Sequence, residues 1–106
     1  MTQNNLTHSR LTPAAQEDIE NIWMYTAQTW SVGQAERYTD ALEETFDRLL
    51  AMPEMARERT EFDPPVRIHP SGEHIIVYRI EHDHLAILRI LGGRQDWLTI
   101  LSVVDQ

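Results

Sequence analysis

Two apolar runs, at residues 75–78 (Ile-Ile-Val-Tyr) and 85–88 (Leu-Ala-Ile-Leu), constrain the fold of this chain more than any other feature. Each is apolar at consecutive positions rather than at alternate ones, the pattern of a strand covered on both faces. Glu81-His82-Asp83-His84 supplies a polar turn between them, so the two runs pair as an antiparallel hairpin. A sheet built on such strands needs two covers. The chain's own helices can supply one; the other must come from its last residues or from a partner.

A length of 106 residues bounds the chain to a single domain, residues 1–106, with a modest core and no room for a deep private cofactor site. Apolar residues make up 42%, with three Trp and three Tyr, which excludes a disordered polypeptide. Cysteine is absent, so disulfides and thiolate metal sites are ruled out. The N-terminal residues lack the basic and apolar regions of a signal peptide, and no apolar stretch approaches the roughly 20 residues of a membrane span. A cytoplasmic protein without a membrane partner is expected.

Charge narrows the functional classes. The chain carries nine Arg, no Lys and seventeen acids, for a net charge of -8. Residues 17–63 hold twelve of the acids against four Arg, whereas residues 64–106 hold five acids against four Arg. Proteins that grip phosphate backbones present a basic stripe, because counterion release supplies much of their affinity. Direct nucleic-acid binding is therefore not expected. Arg without Lys favours forked, fixed hydrogen bonding to carboxylates.

The element order follows from local signals. A short strand over residues 6–11 leads into Thr12-Pro13, an N-cap followed by proline in the first turn. Ala15, Ile19, Ile22, Trp23, Thr26 and Trp30 then recur at helical spacing. Ser31 to Gln34 starts a second helix almost at once, which forces a helical hairpin; Ala35, Tyr38, Leu42, Phe46 and Leu49 form the inner face of the second helix, which ends before Pro53. The acids on its other faces form a solvated surface. Residues 53–64 read as a charged irregular connection, Val66 to His69 as a strand, Pro70 to Glu73 as a turn, and residues 95–103 as a short helical tail. The expected fold class is α+β: an N-terminal strand and a helical hairpin packed on a small antiparallel sheet. The hairpin is expected to bury Ile19, Ile22, Trp23, Trp30, Tyr38, Leu42, Phe46 and Leu49.

Motifs for metal or nucleotide chemistry are weak. His82 and His84 flank Asp83 in a turn, with no second ligand cluster in the sequence. Gly92-Gly93 follows a strand but lacks the further residues of a phosphate loop. No cofactor and no metal site are expected.

The opening strand, the segment LTPAAQEDIENIWMYTAQTWSVGQAERYTDALEETFDRLLAMPEM, Arg67, the HIIVYR strand and the LRILGGRQDW ending together resemble the ParE family of toxins, within the RelE/ParE superfamily of toxin-antitoxin modules. The likeness runs from about Leu11 to Trp97 and implies a RelE/ParE-like fold. One departure is visible: where many relatives carry His after the last strand, Gly92-Gly93 stands here. The resemblance implies a type II toxin that binds DNA gyrase and stabilises its cleaved-DNA complex without catalysis. It also implies a hetero-oligomer with a ParD-like antitoxin encoded beside it. Target contacts are expected at Arg79, Arg89, Arg94, Asp96 and Trp97. Antitoxin contacts are expected at Ile75, Val77, Leu85 and Ile87, on the second sheet face.

A RelE-type ribosome-dependent mRNA ribonuclease is the enzymatic alternative. It needs cationic groups at the scissile phosphate and a side chain that moves a proton. His69, His74, His82 and His84, with Arg67, Arg79 and Arg89, are the candidates, yet no Lys, His or Tyr follows His84. An inactive toxin-fold binding partner is the third reading.

Overall fold

The computed structural model describes residues 6–101. A five-stranded sheet in the order β1-β5-β4-β3-β2 carries the two long helices on one face. The elements are β1 (His8–Leu11), α1 (Pro13–Thr29), α2 (Val32–Ala51), a 3-10 turn (Pro53–Met55), β2 (Glu58–Arg59), β3 (Val66–Ser71), β4 (His74–Ile80), β5 (His84–Gly92) and α3 (Trp97–Leu101). Neighbouring strands are antiparallel except β1, which runs parallel to β5. A parallel pair needs a long crossover, and nearly the whole chain supplies it.

Thr12 joins three elements. Its hydroxyl accepts from the Ala15 amide at 3.1 Å, capping α1, and donates to the Leu88 carbonyl on β5 at 2.8 Å. Ser31 caps α2 by accepting from the Gln34 amide at 3.0 Å, so the helices reverse direction across a single turn. Leu42, Phe46 and Leu49 of α2 and Ala15 of α1 pack on Ile76, Tyr78, Leu85, Ile87 and Ile90. Ile19, Ile22 and Tyr38 border this core, partly buried. Trp30 departs from expectation: it is 70% exposed, and Trp23 is only half-buried. At about 1.5 Å per residue, the 17 residues of α1 span about 25 Å. Trp30, the C-cap of α1, and Val32 lie in solvent at the turn between the helices, and Met24 and Tyr25 lie on the exposed side of α1.

The second sheet face is covered by the chain itself. Phe62 from the loop and Leu101 from α3 pack on Val66, Ile75, Val77, Ala86, Leu88 and Leu91, with Trp97 and Ile100 at the margin. The connection after α2, read from sequence as wholly irregular, contains β2, which pairs with β3. β4 and β5 fall out of simple register between Val77 and Tyr78: Val77 pairs with Arg89 but Tyr78 with Ile87, so one extra residue of β5 is bulged. That bulge changes which β5 residues face the helices. Leu85 and Ile87 do so before it and Ile90 after it, while Leu88 and Leu91 face away.

Candidate functional site

The ten positions from Leu91 to Ile100 bring together the sequence-predicted residues that share a surface. Asp96 starts α3, its carboxylate accepting from the Thr99 hydroxyl at 2.7 Å and the Thr99 amide at 3.3 Å. The Trp97 indole N–H donates to the Gly92 carbonyl at 3.4 Å, which lays the ring over the end of β5. Trp97 is partly buried against the second core and, with Asp96 and Gln95, borders an open cleft of about 450 Å³. Arg59, Glu61 and Phe62 form the opposite wall. Arg59 pairs with Glu61 at 2.8 Å and lies 5.9 Å from the centre of the Phe62 ring. Arg94 is exposed in the turn before α3.

The other two arginines of the expected target set lie elsewhere. Arg89 reaches the helix side and binds Asp18 of α1 through two parallel hydrogen bonds, Nε at 2.7 Å and a terminal nitrogen at 2.9 Å. The same carboxylate accepts from the Ile90 amide at 2.9 Å. These bonds push the Arg89 pKa up. Asp18 therefore fixes α1 against the bulged part of β5; no local pattern marks it out among the seventeen acids. Arg79 sits 3.5 Å from Glu81 at the far end of β4.

Ile75, Val77, Leu85 and Ile87 share no outward surface. All four are buried; Ile75 and Val77 lie under Phe62 and α3, whereas Leu85 and Ile87 lie under the helices. Register explains the split, because paired residues point to one side and Tyr78, not Val77, is opposite Ile87. An antitoxin reaches the first pair only by displacing Phe62 and α3.

The histidines occupy three separate places. His74 and Tyr38 are joined at 2.6 Å between the His74 Nδ1 and the Tyr38 hydroxyl, which also accepts from the Glu73 amide at 3.0 Å. Burial lowers the His74 pKa and raises that of Tyr38. Gly72 closes this turn at φ 59°, and a Cβ there would stand 2.8 Å from the Tyr38 oxygen, so both backbone and space demand glycine. His69 on β3 is held below its ordinary pKa by burial and by Arg48. His84 stacks on His8 with ring centres 5.6 Å apart and meets the Asp83 carboxylate at 2.9 Å, a contact that keeps the Asp83 pKa low. Neither the His8–His84 stack nor the Tyr38–His74 pair was visible in sequence, since each joins residues far apart along the chain. Among the described residues, no three His, Asp or Glu side chains are grouped to hold a metal ion, and no helix is long and apolar enough to cross a membrane.

The family model described as the ParE toxin of type II toxin-antitoxin systems, parDE, matches residues 10–97. This chain belongs to the ParE toxin family. Among curated relatives of this ParE chain, Toxin ParE1 of Mycobacterium tuberculosis is 37% identical over 87 residues, covering 81% of this chain and 89% of that one. Toxin ParE1 of Caulobacter vibrioides is 32% identical over 82 residues, covering 77% and 84%. The fold is that of a solved chain titled "Chromosomal ParDE TA system from P. aeruginosa", with a TM-score of 0.72 at 17% identity, covering 85% of this ParE chain and 98% of that one. All six residues that line the cleft, from Arg59 to Trp97, fall within the matched region, and Trp97 is its last residue.

Proposed function

We propose that this ParE-family toxin acts by binding DNA gyrase and stabilising its cleaved-DNA complex, and that a ParD-like antitoxin encoded beside it neutralises it in a cytoplasmic hetero-oligomer. The observation that carries this reading is the cleft at the end of the sheet. Trp97, Phe62 and Arg59 supply the aromatic and guanidinium groups that dominate protein-protein hot spots, and Glu61 and Asp96 supply the charged rim. The residues that line it offer no imidazole, amine or phenol for proton transfer. In this reading Asp96, Trp97 and Arg94 contact the enzyme, while Arg89 acts indirectly by holding α1 to β5.

The acidic hairpin favours the same mode of action. Its carboxylates suit a basic enzyme surface better than a phosphate backbone. The test is expression of the chain alone, followed by separate measurements of gyrase cleavage complexes and of transcript cutting. Cleavage complexes are expected to accumulate while transcripts stay whole. His69→Ala, His74→Ala, His82→Ala and His84→Ala are each expected to stay toxic if folded. Arg94→Ala with Trp97→Ala is expected to abolish toxicity. Cut transcripts that vanish with a single folded histidine variant would establish a ribonuclease instead.

A further inference from the structure

The first strand and the last carry one histidine each at the same level of the sheet. β1 and β5 run parallel, and His8 lies opposite His84, with ring centres 5.6 Å apart and planes inclined by 20°. The hydrogen bonds around the two rings fix their tautomers. The Thr7 hydroxyl donates its single hydrogen to the Asp83 carbonyl at 3.1 Å, so at 2.7 Å from His8 Nδ1 it can only accept, and that nitrogen carries the proton. The Asp83 carboxylate, kept ionised by its lowered pKa, accepts from His84 Nδ1 at 2.9 Å. Each Nε2 is then left with its lone pair, and among the described residues neither has a hydrogen-bond partner.

Each ring bonds a side-chain oxygen of the residue before it, and parallel strands in register repeat that arrangement, so the two Nε2 atoms point the same way. Imidazole suits Zn²⁺, Cu²⁺ and Ni²⁺, and a ring whose other nitrogen already donates to a neighbouring oxygen is oriented to bind one. Two Zn–N bonds of about 2.0–2.1 Å require the nitrogens to stand within about 4 Å of each other. Rings centred 5.6 Å apart reach that by a small inward tilt of each, within its rotamer well. In sequence His82 is the histidine nearest His84; the strand pairing brings His8 to it instead and leaves His82 exposed in the turn. Of the cations on this face, Arg10 is exposed to solvent and Arg79 meets Glu81 at 3.5 Å, while the chain as a whole, at -8, attracts divalent cations.

We propose that His8 and His84 form a binding site for a divalent transition-metal ion, Zn²⁺ foremost, coordinated by the two Nε2 atoms and completed by water. With two protein ligands the ion sits open on the surface rather than enclosed. Its bonds clip the four-residue first strand to the last one. The site stands apart from the gyrase and antitoxin readings and is tested without either.

The test adds Zn²⁺ alone to the full chain. One equivalent is expected to bind and, at about a hundredfold excess over its dissociation constant, to raise the melting temperature by about 5 °C or more. Mg²⁺ at the same concentration, which prefers oxygen ligands, is expected to leave it unchanged. His8→Gln and His84→Gln are each expected to weaken Zn²⁺ binding by about tenfold or more, and Asp83→Asn by about tenfold through loss of the oriented ring, whereas His82→Gln stays within about twofold. Cu²⁺, as a paramagnetic probe of the unaltered chain, is expected to broaden the amide signals of residues 7–10 and 83–86 first. Binding that survives both ligand substitutions, broadening centred on His69 or His74, a Mg²⁺ effect equal to that of Zn²⁺, or no Zn²⁺ effect at all would overturn the site.

Discussion

The two faces of the sheet are both dry, but they are covered by different means. On one face α2, 20 residues long, lays Leu42, Phe46 and Leu49 along three successive strands, with α1 beside it. On the other, a single loop phenylalanine and the five-residue α3 do the work. The first cover is cooperative, since each helical turn is held by its neighbours as well as by the sheet. The second consists of short pieces with few backbone bonds of their own, so it opens at lower free energy than the fold as a whole. The difference teaches where recognition can be placed cheaply: residues on the loosely held cover can change without loss of the fold, and the cleft at Trp97 lies there.

The largest effect that would break this comparison is expected under the helices. Phe46→Ala is expected to cost about 3–5 kcal/mol and Leu42→Ala about 2–5 kcal/mol, through lost burial and the cavity left behind. Denaturant unfolding checks both, and values near zero would contradict the packing. Next is Asp18→Asn. It leaves Arg89 without its carboxylate and weakens the acceptor for the Ile90 amide, so about 1–3 kcal/mol is expected in the same measurement.

Trp97→Ala on the second face is expected to cost less, about 1–2 kcal/mol, because part of the ring is already in solvent. Its effect on toxicity is expected to exceed its effect on stability. A Trp97 variant as damaging to the fold as Phe46→Ala would erase the distinction between the two covers.

Acidity gives the smallest and most selective effect. Burial holds the His74 pKa below its unfolded value of 6.5. As pH falls through that value the unfolded chain takes up a proton first, so stability rises with pH in this window and is lost on acidification. His74→Gln removes that contribution. Its melting temperature is expected to fall less than the wild type's between about pH 7.5 and pH 5.5. Equal falls in both would move the acid sensitivity to other groups, with His69 the first to examine.

The same contrast decides what could be read from the sequence. The helix-covered face was legible because periodicity writes it directly: Leu42, Phe46 and Leu49 recur at helical spacing, and Thr12-Pro13 and Ser31 mark the helix starts. Trp30 was misplaced because periodicity gives the side of a helix a residue occupies but not where the sheet beneath it ends. Phe62 carried a weak signal, as the one aromatic residue in a charged connection, but a loop has no period to show which way it faces. The bulge in β5 left no mark either, and it set Leu85 and Ile87 on the opposite face from Ile75 and Val77. The site was legible at Asp96 and Trp97 through the likeness of the ending to its family. Arg59, Phe62 and Asp18 came within reach only through tertiary contacts.

The parallel pairing of β1 with β5 ties the earliest strand to the latest. His8 lies opposite His84, and the Thr12 hydroxyl binds a carbonyl 76 positions further on. During synthesis the helical hairpin can form from local contacts, but the sheet beneath it stays open until β5 has left the ribosome. A growing chain of this design therefore cannot close its sheet until β5 has been made.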